Sequence, residues 1–257
     1  MDIPWYIFAN LAFFALLAGF IDSIVGGGGL VQFPATLISL PNTPLASLFG
    51  TNKIASISGT TISAYSYAKR VQFNYRLIIF ISAFAFIASY FGAKTVTILD
   101  PNKLKPTILV LMILIAIYTF IKKDLGSSKV IQISKQQQNI GGLVVGVLVG
   151  FYDGFMGPGA GSLYVLGFVS ILGFDFLHAS AYSKIINWVT NFSALTVFIK
   201  DGHYILEVAL LMAIFNILGN VVGTRMAISK GNGFIRLVFM TVVSMMILRY
   251  GYEVFFH

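Results

Sequence analysis

The sequence contains no cysteine, which excludes a disulfide framework, a zinc–thiolate or iron–sulfur site and a cysteine nucleophile. Charge is scarce as well. Only 10% of the 257 residues are Asp, Glu, Lys or Arg, against about 25% in ordinary soluble domains. So few charges cannot cover a water-facing surface, and a soluble globular domain is excluded. A hydrophobic fraction of 57% excludes a disordered chain. There are only 7 prolines, and the 25 glycines follow no three-residue period, so collagen-like structure is excluded. The start, Met1-Asp2-Ile3-Pro4-Trp5, lacks a positive n-region, and no A-x-A-type site follows it. The first apolar segment is therefore expected to stay as a span rather than be cleaved. The class that remains is an integral membrane protein.

What is present is a series of long apolar runs. A helix crossing the hydrocarbon core needs about 20 largely apolar residues. Such stretches run over 5–25, 29–40, 45–68, 76–96, 104–121, 139–156, 160–173, 178–199, 204–228 and 233–254. Strand-type alternation is absent from them, so the expected fold is an all-α polytopic membrane protein. Two stretches are short: the segment 30–40 makes only about 16 Å of helix, half a bilayer, and 161–173 is similar. The longest polar stretch, 122–139, divides the chain into a first membrane repeat (1–121), a polar cytoplasmic linker (122–138) and a second membrane repeat (139–257). The net charge of +8, from 17 Lys+Arg against 9 Asp+Glu, reads as loop charge flanking spans. No basic patch is interleaved with aromatics, so no nucleic-acid partner is expected.

The two halves align without a gap at an offset of 131 residues (184 minus 53). Gly19-Phe20 meets Gly150-Phe151, Asp22 meets Asp153, Gly26 and Gly28 meet Gly157 and Gly159, and Lys53 meets Lys184. Lys69 meets Lys200, Gly92 meets Gly223, and Lys105 meets Arg236. Internal duplication is typical of secondary transporters, whose substrate site lies near midplane between the repeats. Each half has five segments with the second one short. If the first two both cross, or together form one re-entrant hairpin, the number of crossings is odd and the repeats are inverted. If only the short segment is re-entrant, they are parallel. With the linker inside, the inverted arrangement puts ten of the 17 basic residues inside and five outside, and the parallel one nine and six. The positive-inside rule favours inversion by a small margin, and with it both termini outside.

Three constellations carry chemistry. The first is glycine-rich: Gly26-Gly27-Gly28-Gly29 and Gly157-Pro158-Gly159-Ala160-Gly161. Each lies between an apolar helix and a half-length helix. Unpaired backbone at membrane depth is tolerated only inside protein or beside a wet cavity. A half-helix starting after such a turn presents free N–H groups and a positive dipole end, which suit an anion. Tight helix packing through small residues explains lone glycines such as Gly92 and Gly223; it explains four in a row poorly, since each weakens a helix by up to about 1 kcal/mol.

The second constellation is Lys53 and Lys184, each about 12 Å into an otherwise apolar segment. A lysine at the centre of a span costs about 3 kcal/mol on insertion scales, so compensation is required twice. Ser56 and Thr60 follow Lys53 at i+3 and i+7, and Asn187 and Asn191 follow Lys184 at the same spacings. Thr51, Asn52 and Ser183 precede them. This predicts a hydrated stripe facing the bundle interior, with a cation to meet an anion. The other readings are an ion pair with Asp22 or Asp153 and snorkelling to the interface.

The third is Asp22 and Asp153, each four residues before its glycine run. They can pair with the lysines, carry coupling protons or cap the half-helices. Tyr152-Asp153 has a superficial likeness to intramembrane aspartyl proteases, but their G-x-G-D motif is absent. No H-E-x-x-H, G-x-S-x-G or kinase pattern occurs either, so no enzyme activity is expected. His178, His203 and His257 are scattered, so neither a metal site nor a cofactor is expected.

These residues resemble the TauE/SafE family of bacterial membrane permeases. The resemblance is carried by GFIDSIVGGGGL with GTNK at 50–53, and by GFYDGFMGPGAGS with YSK at 182–184, and it covers both repeats. It is strongest to family members described only as membrane transporters. It implies a multi-pass inner-membrane carrier with duplicated halves and small sulfur-containing anions as substrate class. Pro158 and Ala160 stand where the first run has Gly27 and Gly29, so the two half-sites are unequal. The resulting expectation is a secondary transporter in the cell inner membrane for a small anion, sulfite or another sulfur-containing anion, working by alternating access. The alternative is a passive anion channel. Glycine-loop N–H groups (Gly26 to Gly29, Gly157, Gly159, Ala160, Gly161) would bind the anion's oxygens. Lys53 and Lys184 would supply charge, with Thr51, Asn52, Ser56, Thr60, Ser183, Asn187 and Asn191 as polar neighbours and Asp22 and Asp153 as coupling groups.

Overall fold

The computed structural model describes residues 4–98 and 134–256. Among them there are eight helices and no strand. They are α1 (Trp5–Val25), α2 (Gly29–Ser39), α3 (Leu45–Ala68), α4 (Tyr75–Ile98), α5 (Lys135–Phe155), α6 (Ala160–Ser170), α7 (Phe176–Lys200) and α8 (Leu206–Phe256). The apolar stretch 104–121 and most of the linker lie outside the described residues, as do Lys103, Lys105, Lys122, Lys123 and Lys129.

Helix ends follow local chemistry. Helix α1 stops at Gly26, whose φ of 77° places it in the left-handed region a glycine enters without strain. Helix α5 starts four residues earlier than its apolar run, at 135 rather than 139. Ser134 and Gln137 form a reciprocal capping box, so the polar 135–138 is a first helical turn. Asp175 caps α7 by accepting from the His178 N–H at 2.9 Å. Helix α8 is interrupted at Gly231 (φ 67°, ψ −158°), between the two apolar stretches at 204–228 and 233–254.

Lengths match between halves: α1 and α5 have 21 residues each, α2 and α6 have 11 each, and α3 and α7 have 24 and 25. The helix crossings match as well. Gly92 of α4 abuts the backbone of Phe151 on α5, and Gly223 of α8 abuts the backbone of Phe20 on α1. A side chain at either would strike a neighbouring main chain, which is the close approach that small residues permit in membranes.

Among the described residues, three helices are long and apolar enough to cross a membrane: Trp5–Val25, Tyr75–Ile98 and Leu206–Val238. Their outward faces are apolar, with Phe84, Ile87 and Phe91 exposed on α4 and Ile214, Leu218 and Val222 on α8. Such faces are stable only against lipid. Helices α3 and α7 are equally long but carry buried Thr, Asn, Ser and Lys instead. Buried polar side chains are concentrated on these two helices and on the faces of their neighbours that pack against them. The half-length helices α2 and α6 pack beside α3 and α7, which brings their glycine turns to the polar stripe.

Candidate functional site

Lys53 of α3 and Lys184 of α7 are both buried, so snorkelling to an interface is excluded. Each reaches the aspartate of the other half. Lys53 Nζ donates to Asp153 Oδ1 at 2.5 Å and to the Asp153 main-chain oxygen at 2.7 Å. Lys184 Nζ donates to the Asp22 main-chain oxygen and approaches Asp22 Oδ2 at 3.3 Å. Each ammonium therefore neutralises a carboxylate and also meets the carbonyl end of a helix, where the dipole is negative. Neither aspartate caps a half-helix: the residues before α2 and α6 are Gly28 and Gly159, with no side-chain cap.

The end of α1 shows why the polar residues of the second half are where they are. A helix leaves its last carbonyls without intrahelical partners, and in a membrane each must be satisfied by protein. Asp22 O accepts from Lys184, and Ser23 O from the Tyr67 hydroxyl at 3.2 Å. Ile24 O accepts from Ser180 Oγ and Val25 O from Ser162 Oγ, both at 3.0 Å. Gly26 O accepts from the Ser162 N–H at 3.1 Å. The glycine turns cross here. A side chain on Gly26 would strike the Gly161 main chain, and one on Gly161 the Gly26 main chain.

Beyond the crossing, the turns leave donors free. Among the described residues, the N–H groups of Gly27, Gly28, Gly29, Gly159 and Gly161 donate to no protein acceptor. Of these residues, Gly29 and Gly161 stand at the half-helix starts with their N–H groups uncommitted. Next to them is a small, partly open cavity of about 30 Å³. On its wall are Asp22, Gly26, Gly29, Asn52, Lys53, Ser56, Asp153, Gly157, Gly161, Asn187 and Asn191. All of these follow from the spacing of the sequence. Phe33, Phe49, Met156 and Pro158 complete the wall; nothing polar marked them. Phe33 and Phe49 stack with centroids 4.5 Å apart.

Eight other expected residues stand behind the wall. Thr51 is turned away: its hydroxyl bonds Ser47 O and accepts the Ile205 N–H at 2.9 Å, tying α3 to the start of α8. Ser183 Oγ donates to Gly161 O at 2.9 Å, and Thr60 Oγ1 approaches Asp22 Oδ2 at 3.4 Å. Lys184 is fully enclosed, so its charge acts through Asp22. Gly28 packs on Ala18 and Asp22, and Gly159 on Leu30. Gly27 and Ala160 are buried in the turns.

Two polar elements escape a reading by spacing from the lysines. Thr190 Oγ1 donates to Asp153 Oδ2, joining Asn187 Nδ2 at 3.2 Å, while Asn191 Nδ2 supports Asn187 Oδ1 at 2.9 Å. A chain of amides runs from Asn220 through Asn216 and Gln32 to Asn52, with successive distances of 2.8, 2.7 and 3.0 Å. The available signal was Gln32 and Thr36 at i and i+4, the polar side chains of a half-helix otherwise apolar.

With this geometry in hand, comparison with known proteins is specific. The family described as Sulfite exporter TauE/SafE matches residues 11–250. A probable membrane transporter protein ORF9 of a Sinorhizobium species is 37% identical over 91% of this chain and 88% of its own. A probable membrane transporter protein of Haemophilus influenzae is 32% identical over 98% of both chains. The probable membrane transporter protein YfcA of Escherichia coli K12 is 36% identical over 95% of this chain and 89% of its own. No solved structure matches. A family match along nearly the whole chain, joined to lipid-facing helices around a buried polar cavity, makes this a multi-pass membrane protein that belongs to the TauE/SafE family.

Proposed function

We propose that this protein is a secondary transporter that moves a small anion, sulfite or another sulfur-containing anion, across the inner membrane by alternating access. The observation that carries the reading is the cavity at the crossed glycine turns. Lys53 lines it, and the uncommitted N–H groups of two half-helix N-termini lie beside it. Backbone N–H groups at helix starts favour oxyanions, and membrane burial strengthens the preference. Lys53 uses two of its three ammonium protons on Asp153, leaving one for a ligand. Ser56 makes no hydrogen bond among the described residues and faces the same space. The names of the relatives agree with transport, and the family description with a sulfur oxyanion.

The two halves act as repeats, residues 1–121 and 139–257, of inverted orientation, with the linker 122–138 cytoplasmic. Supporting this are the matched helix lengths, the matched glycine crossings and the exchanged lysine–aspartate pairs. Each half supplies the counter-charge of the other, so rocking of one half against the other has to work on both pairs at once. Reconstituted protein should show saturable uptake of labelled sulfite, accelerated by unlabelled sulfite inside the vesicles. Flux that follows voltage alone, without saturation or counterflow, would make it a channel instead.

A further inference from the structure

We propose that Asp22, and not Asp153, binds a proton that crosses the membrane together with the anion; this rests on the transport function proposed above. Four ionisable side chains surround the cavity: Lys53, Lys184, Asp22 and Asp153. Two positive and two negative charges sum to zero, so the ionised set offers an anion no net attraction. One proton on one carboxylate raises the sum to +1, and a monovalent anion then completes a neutral complex. On loading, an O–H bond forms on the carboxylate; on release the proton returns to water on the other side, and no other bond changes.

The surroundings of the two carboxylates select between them. Both oxygens of Asp153 are occupied. Oδ1 accepts from Lys53 at 2.5 Å, and Oδ2 accepts from Asn187 at 3.2 Å and from Thr190. A proton there must displace a donor, in a side chain only 1% exposed. On Asp22 the contacts are long and all on Oδ2, Lys184 at 3.3 Å and Thr60 at 3.4 Å. No described residue donates to Asp22 Oδ1, and the side chain is 13% exposed on the cavity wall. Each lysine also holds the main-chain oxygen of its aspartate, so the difference lies in the carboxylate contacts.

The difference is written in the repeat. At the offset of 131, Thr190 corresponds to Gly59 and Asn187 to Ser56, and neither Gly59 nor Ser56 donates to Asp22. The ionisable groups facing Asp22 are Lys184 of α7, Lys53 across the cavity on α3, Asp153 of α5 and the Tyr67 hydroxyl of α3, held on Ser23 O. Tyr164 of α6 lies towards Asp153. Helix α2 has no ionisable residue, and Glu207, Arg225, Lys230 and Arg236 of α8 are exposed.

The test uses [14C]methanesulfonate, whose charge does not change near neutral pH. Wild-type protein in weakly buffered detergent should take up about one proton per anion bound. Its apparent affinity should rise about tenfold per unit fall in pH wherever binding takes up a full proton. Asp22→Asn should take up no proton and bind with an affinity that changes less than about twofold between about pH 5.5 and about pH 8. In vesicles it should lose accumulation driven by a pH gradient. Asp22→Glu should retain the pH dependence and guards against a variant that fails to fold. Binding without proton uptake by the wild type overturns the proposal. So does a pH dependence that survives in Asp22→Asn and disappears in Asp153→Asn. If wild-type protein shows counterflow of methanesulfonate without proton uptake, transport stands and only the coupling falls. If it neither binds nor exchanges sulfite, methanesulfonate or thiosulfate, the transport reading fails and the coupling with it.

Discussion

Lys53–Asp153 and Lys184–Asp22 occupy equivalent positions in the two halves, yet they are built differently. In the first, the lysine grips the carboxylate at 2.5 Å and two further side chains occupy the other oxygen. In the second, the lysine chiefly satisfies the end of helix α1, and the carboxylate is left at 3.3 Å with one oxygen free. The first pair is a joint between the halves. The second leaves its aspartate on the cavity wall, where it can respond to what enters. The two lysines are followed by different residues at three and six places, Ser56 and Gly59 against Asn187 and Thr190, and those differences accompany the different pairs.

This contrast is best broken at its strongest point. Asp153→Asn leaves Lys53 buried without its counter-charge, and losing one member of a buried pair costs about 3–5 kcal/mol. In detergent the variant should unfold far below the wild type. Asp22→Asn should lose less than half as much, because Asp22 holds its donors only at 3.3 and 3.4 Å whereas Asp153 holds Lys53 at 2.5 Å. Equal losses would show the two pairs to be equivalent.

Next in size is the crossing of the turns. Gly161→Ala drives a methyl into the Gly26 main chain, an overpacking of about 1–3 kcal/mol. The half-helix starts should separate, and counterflow should fall at least tenfold even in the folded fraction. Thr190→Val removes a hydrogen bond to a carboxylate and should cost about 1.5–3 kcal/mol. Ser56→Ala, at the position equivalent to Asn187, should leave the melting temperature near wild type and weaken anion binding severalfold. If the effects are reversed, Ser56 is structural and Thr190 faces the ligand. The smallest effect belongs to Ser134→Ala, which removes the capping box of α5 for about 1 kcal/mol. Transport should be unchanged, which gives the baseline for a loss of stability remote from the site.

Much of the site was legible because burying a charge in lipid is expensive. Lys53, Lys184, Asp22 and Asp153 stand out against apolar runs, and a helical period carries the eye from the lysines to Ser56, Asn187 and Asn191. The glycine turns were legible because four consecutive glycines defeat a helix. The period carried too far at Thr51 and Ser183. Both lie beside a lysine in sequence, but a one-residue step turns a helical side chain by about 100°, and each faces a carbonyl or N–H of another element instead. Thr190 and the amide chain through Gln32 and Asn216 were missed for the same reason in reverse: their partners lie on other helices. The capping box at 134–137 was hidden because a polar first turn and a polar linker have the same composition.

The sequence by itself determined that the chain lives in a membrane, that its apolar segments carry a small set of charges, and that those charges recur at an offset of 131 residues. Each of these follows from solvation, since lipid excludes an uncompensated charge and composition records that exclusion. Only the tertiary structure decided which charge meets which. The partners are 100 and 162 residues apart in the chain, and each lysine passes over its own half to reach the aspartate of the other. Only the structure, too, showed which carboxylate keeps a free oxygen, because that depends on which donors the crossing of the half-helices brings within 3 Å or so of each side chain.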